Sequence, residues 1–161
     1  VLFAACARHK IIPDDKLAQV VVVTQYPQVA ELARKYGFTA LPNPHPEVGQ
    51  SESIRIGLQA LQDCDAVLFQ VADQPKLQKE TVAELIDFAA AHPDRIVGLG
   101  HNGRRGNPCI FPARFYPELL ALTGDHGGRS VILAHEEELL LMDVSSDQLI
   151  DIDTPEQLEK L

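Results

Sequence analysis

The chain has 161 residues, 1–161, enough for one domain with a proper hydrophobic core. Its 23 acidic residues against 14 basic ones leave a formal charge of −9, which argues against nucleic acid or an anionic membrane as partner and fits a substrate whose phosphates arrive with bound cations. No apolar run reaches membrane-spanning length and no secretory signal is visible; the scattered Cys6, Cys64 and Cys109 lack metal-ligand spacing and fit reduced thiols in a cytoplasmic protein.

Taken in order, Val1 to Lys10 reads as a helix, apolar at its start and basic at its end. A chain that opens on an uncapped hydrophobic helix points to something before it. Gln19 to Thr24 is a strand whose unbroken β-branched run predicts burial on both faces, as in a parallel sheet. Pro27 to Tyr36 is a helix with Pro in its first turn and Gly37 as its stop. Phe38 to Leu41 is a short strand. Pro42 to Gln50 holds three prolines and a glycine, a shaped loop rather than regular structure. Ser51-Glu52-Ser53 opens a helix to about Leu61, with Ile54, Leu58 and Leu61 on one face.

Val67 to Val71 is a short apolar strand that runs into Asp73-Gln74-Pro75, where Pro75 ends the ladder. Gln78 to Ala91 is an amphipathic helix on Val82, Leu85, Ile86 and Ala89, and Ile96 to Leu99 is a strand. Helix-length connections between strands predict a three-layer α/β sandwich with parallel strands. Asn102-Gly103 is a hairpin signal, followed by Cys109-Ile110-Phe111 as a strand, so a hairpin should project from the sheet. Arg114 to Leu122 looks helical. The glycine-rich Gly124-Asp125-His126-Gly127-Gly128 leads into a helix from Arg129 to about His135. Leu139 to Met142 and Leu149 to Asp153 read as strands, and Thr154-Pro155-Glu156-Gln157 starts a capped final helix.

Chemistry concentrates at strand ends. Asp73 sits just past the carboxyl end of a strand, the edge where open α/β sheets bind ligands. It either caps the following turn or holds a divalent metal. Asp153 is either the cap of the last helix or a second metal ligand that converges with Asp73; two carboxylates plus substrate phosphates suit magnesium. Ser51 and Ser53, with the first N–H groups of their helix, are either simple caps or an anion and base-edge site. His45 and His126 lie in the two candidate binding loops. Arg104, Arg105 and Arg129 are the cations nearest those loops, with surface solvation the alternative for the first two. No Gly-x-Ser-x-Gly, His-Glu-x-x-His or Walker sequence occurs, so nothing supports a protein nucleophile or a Walker-type nucleotide site.

Five segments, Asn43-Pro-His-Pro-Glu-Val-Gly-Gln-Ser-Glu-Ser53, Val71-Ala-Asp-Gln-Pro75, Gly106-Asn-Pro-Cys-Ile-Phe-Pro112, Gly124-Asp-His-Gly-Gly-Arg129 and Asp151-Ile-Asp-Thr-Pro155, stand in an order that resembles the nucleotidyltransferases acting on molybdenum cofactor, above all the cytidylyltransferase branch. The resemblance implies a Rossmann-like nucleotidyltransferase fold with a mostly parallel sheet and a β-hairpin insertion. It also implies CTP or GTP as donor, Mg2+, and transfer of the nucleotide to the phosphate of molybdopterin with release of pyrophosphate. Asp73 and Asp153 would be the catalytic metal ligands; Gly49, Gln50, Ser51 and Ser53 would seat the nucleotide; Asn107, Gly127, Gly128 and Arg129 would lie on the pterin side. A molybdenum enzyme or its maturation chaperone would be a partner. The family opens with a strand and a phosphate loop of the form Leu-Ala-Ala-Gly-x-Ser-x-Arg-x-Gly, then a lysine. Phe3 to Arg8 echoes it without the glycines, so the domain is expected to be N-terminally incomplete. The alternatives are a transferase of the same fold with a phosphosugar or phosphoalcohol acceptor, and a non-catalytic protein that holds molybdopterin for delivery.

Overall fold

An unbroken β-branched run has two apolar faces to bury, and Gln19–Thr24 buries both inside a sheet of seven strands. The structure is a computed structural model that describes residues 2–7, 17–152, 154 and 157. In chain order the strands are β1 (Leu2–Ala7), β2 (Gln19–Thr24), β3 (Thr39–Pro42), β4 (Ala66–Val71), β5 (Ile96–His101), β6 (Arg104–Pro112) and β7 (Leu139–Asp143). In space they follow β3-β2-β1-β4-β6-β5-β7. β2, β3, β4, β5 and β7 run one way; β1 and β6 run against them. The helices are α1 (Pro27–Lys35), α2 (Gln50–Ala60), α3 (Lys79–Ala91), α4 (Tyr116–Leu120) and α5 (Gly128–Ala134).

Side chains alternate across a strand, and this divides the core into two layers. Val67 and Phe69 of β4 and Phe111 of β6 pack with Ile54 and Leu58 of α2, Leu119 of α4 and Ile132 of α5. Leu68 and Ile110, one residue out of phase, pack with Leu85 and Ile86 of α3 on the other face. Each such fully buried side chain stabilises the fold by about 1.5–3 kcal/mol. The helical stripes expected from spacing on α2 and α3 are therefore the stripes that are buried. No helix among the described residues is long and apolar enough to cross a membrane.

Four expectations change. Leu2–Ala7 is a strand, not a helix: it fills the slot between β2 and β4 and pairs antiparallel with both. Two central strands with open ladders demand backbone partners, and that demand outweighs a weak helix preference. The hairpin turns at Asn102 (φ 50°) and Gly103 (φ 77°), as its sequence predicts, but its second arm lies inside the sheet between β4 and β5, where Pro108 to Pro112 are buried. Arg104 and Arg105 pair with β5 but not with β4, whose ladder with β6 covers Cys109 to Pro112. Leu149 to Ile152 is not a strand. Ser146–Leu149 is a 3-10 turn, and beyond it one backbone bond, from the Ile152 N–H to the Asp73 carbonyl at 2.8 Å, replaces a ladder. Finally, Cys64 is disulfide-bonded while Cys109 is a buried free thiol, so the expectation of reduced cysteines fails at Cys64; spacing in sequence does not reveal neighbours in space.

Candidate active site

The site forms at the carboxyl edge of β2, β3 and β4. Asn43 follows β3 and is buried. Its N–H donates to the Thr24 carbonyl at 3.0 Å, its Oδ1 accepts from the His45 N–H at 2.9 Å, and its Nδ2 donates to Ser53 Oγ at 3.0 Å. One amide thus ties the end of β2, the proline-rich loop and α2 together. Gly49 then turns the chain into α2 at φ 101°. A Cβ there would stand 2.7 Å from the Gly124 carbonyl oxygen, so glycine is required by conformation and by space.

The proline-rich loop and the glycine-rich loop, far apart in sequence, are joined directly. The Ser51 N–H and Oγ both donate to the Gly124 carbonyl, at 3.2 and 2.7 Å, and the Gln50 N–H donates to Asp125 Oδ1 at 3.3 Å. The first N–H groups of α2 are therefore spent on the second loop rather than open to a ligand. Ser51 lies behind the site as a buried brace, whereas Ser53 faces the site.

Two cavities flank this junction. The first, about 250 Å³, is lined by Gly49, Gln50 and Ser53, and also by Gln25, Tyr26 and Asp125. The second, about 260 Å³, holds Asn107, Gly128 and Arg129 together with Arg105, over a floor that includes Phe69 and Phe111. Gln50 lines both. Gly127 and Gly128 leave room for it and for the floor: a Cβ on Gly127 would collide with Gln50 Oε1, and one on Gly128 would lie 2.9 Å from Phe111 Cζ. The floor also includes the Cys109 thiol. Burial pushes that thiol up, against the nearby Arg105 guanidinium, whose Nη1 is 3.4 Å from Sγ.

Asp73 stands two residues beyond β4. Its Oδ1 is buried and accepts no hydrogen bond, so the side chain does not cap the turn through that oxygen. A desolvated carboxylate oxygen without a partner is costly unless a cation meets it, and this oxygen fits a divalent metal ligand. No cluster of three or more metal-ligating side chains occurs among the described residues. Asp153 lies outside the described residues; the Ile152 bond to Asp73 brings the chain just before it to this point.

Residues 10–139 match the MobA-like NTP transferase domain. The chain belongs to this family. Like its other members, this MobA-like domain is a nucleotidyltransferase that uses a nucleoside triphosphate. No curated protein matches it in sequence. Among solved structures it is similar to Rv0371c from Mycobacterium tuberculosis H37Rv, with a TM-score of 0.71 and 19% identity over 89% of this chain and 75% of that one. A second structure of Rv0371c is a complex with manganese. It is also similar to a CMP:2-keto-3-deoxy-manno-octonic acid synthetase complexed with CTP, with a TM-score of 0.69 and 13% identity over 90% of this chain and 79% of that one. A molybdopterin-guanine dinucleotide biosynthesis protein A from Archaeoglobus fulgidus aligns with a TM-score of 0.59 and 17% identity, over 87% and 75%. At these identities the likeness is one of fold, and it confirms the Rossmann-like nucleotidyltransferase architecture expected for the MobA-like family.

Sequence reasoning missed several lining residues of this MobA-like site. Gln25 and Tyr26 follow the carboxyl end of β2, and the strand-end rule that singled out Asp73 reaches them too. Asp125, in the glycine-rich loop, lines the first cavity and not the second. Arg105, for which solvation was the alternative, lines the second; Arg104 is exposed and lines neither. His45 and His126 also lie outside both cavities, bonded to Glu47 and Ser130 at 3.2 Å each.

Proposed function

We propose that this MobA-like transferase moves CMP, or GMP, from CTP or GTP to the phosphate of molybdopterin and releases pyrophosphate, with Mg2+ as its metal. The observation that carries the reading is the pair of abutting cavities with Gln50 as their shared wall, one lined by polar groups and one by two arginines and an aromatic floor. The first suits a nucleotide held by Gly49, Gln50 and Ser53, with Ser51 bracing the loop. The second suits an acceptor held by Asn107, Gly128 and Arg129, with Gly127 leaving space for Gln50. Attack by an acceptor phosphate oxygen on the α-phosphorus forms the new P–O bond and breaks the α–β bridge, and pyrophosphate leaves with the electron pair. Holding the two phosphates side by side supplies most of what such a transfer needs. Asp73 and Asp153 would hold the metal, which when bound offsets charge on the departing pyrophosphate. The product would pass to a molybdenum enzyme or its maturation chaperone in the cytoplasm.

The test is a pyrophosphate-release assay with the full chain, Mg2+, molybdopterin, and CTP or GTP in turn. Release should require molybdopterin, favour one nucleotide and vanish in Asp73→Asn. No release with either nucleotide overturns the reading. Release with a phosphosugar but not with molybdopterin overturns the acceptor alone.

A further inference from the structure

We infer that Arg105 is a positioning residue of the second cavity, binding the anionic group of the acceptor together with Arg129. The inference rests on the acceptor reading of that cavity and adds the chemistry of what enters it.

Charge makes the first argument. The chain carries 23 acidic and 14 basic residues, so a guanidinium has many carboxylates to choose from. Arg55, Arg95 and Arg114 each pair with a glutamate. Arg105 and Arg129 take part in no ion pair among the described residues, and the wall they share contains no carboxylate. Two unneutralised guanidiniums in one concavity of an acidic protein form a local positive field that selects an anion.

Anchoring makes the second. Arg105 is the second residue of β6, opposite Gly100, and is only partly exposed. Its Nη1 donates to the buried Cys109 Sγ at 3.4 Å. That contact fixes one arm of a planar fork, and the other N–H groups remain for a ligand; a pre-set fork loses less freedom on binding than a free side chain. The third argument is the floor. Phe69 and Phe111 lie with ring centroids 5.6 Å apart, tilted at 57°, with Ile54 and Ile132 beside them. The cavity thus takes a flat or apolar body with an anionic end, and Arg105 fixes where that end lies relative to Gln50 and the nucleotide cavity.

The competing explanation is structural: Arg105 is there only to satisfy the thiol. Binding of inorganic phosphate to the full chain, followed by 31P NMR or calorimetry, separates the two without nucleotide, metal or turnover. Wild type should bind phosphate. Arg105→Ala should weaken it at least tenfold with an unchanged melting temperature. Arg105→Lys should recover part of the loss, since the charge returns without the fork. Arg104→Ala, on the exposed neighbour, should bind as wild type does. Equal affinity in wild type and Arg105→Ala, or no binding in wild type, overturns the inference. In turnover, Arg105→Ala should raise the acceptor KM at least tenfold and leave the nucleotide KM unchanged. A failed pyrophosphate assay combined with Arg105-dependent phosphate binding would remove the proposed reaction and keep the anion site.

Discussion

Gly49 and Gly37 both hold a left-handed φ, 101° and 77°, yet they should respond differently to alanine. A Cβ on Gly37 meets nothing within 4 Å, so only the backbone conformation resists it, at about 1–2 kcal/mol. A Cβ on Gly49 also meets the Gly124 carbonyl and the Asp125 backbone, atoms that cannot step aside without parting the two loops. Urea denaturation should therefore show Gly49→Ala losing clearly more than Gly37→Ala, about 3 kcal/mol or more. Asp73 should behave in the opposite sense. Its buried, unpartnered oxygen destabilises the metal-free fold, so Asp73→Asn should leave the melting temperature unchanged or raise it, while pyrophosphate release falls about 100-fold or more. A joint loss of stability and activity would show that the carboxylate has a structural task instead.

At the scale of the element, α2 carries a charge pair whose contribution depends on pH. Arg55 Nε donates to Glu52 Oε2 at 2.8 Å, and this bond holds the Glu52 carboxyl below its usual range. A depressed carboxylate adds stability above its unfolded value, about 4.3, and loses it as pH falls through the lower folded value. The stability difference between wild type and Arg55→Met should hold from pH 7 to about 5 and close below pH 4 in urea titrations; a difference independent of pH would assign it to packing. Much of this level was legible beforehand. The valines of β2, the stripe of α3 and the Asn102-Gly103 turn each state their structure through local periodicity or turn chemistry. Leu2–Ala7 did not, because a short apolar run fits helix or strand equally until its neighbours are known, and here β2 and β4 decide. The site divides in the same way. Asn43, Gly49, Asn107 and Arg129 stand in unusual clusters of proline and glycine that draw notice. Tyr26, just past a strand end, and Arg105, a cation near the loops, are both within reach of sequence rules, but only the folding of distant segments places them on a cavity wall.

For the whole molecule, protection should follow position in the sheet. β4, β5 and β6 are paired on both sides and hold Val67, Ile96, Val97 and Leu99 at 0% exposure, whereas the edge strands β3 and β7 contain no fully buried residue. Amide hydrogen exchange should be slowest in β4 to β6 and fastest at β3 and β7; uniform protection would mean that the sheet opens as one unit. The seam between the two loops has a different consequence, for exchange between relatives. Ser51 and Gln50 read backbone and carboxylate atoms of Gly124 and Asp125, and Gly49 is shaped to them. A graft of residues 43–53 alone from a homologue would face a mating surface made for another sequence. Residues 43–53 and 124–129 should therefore be inherited as a linked pair, and a library that shuffles them together should return more folded chimaeras than one that shuffles either by itself.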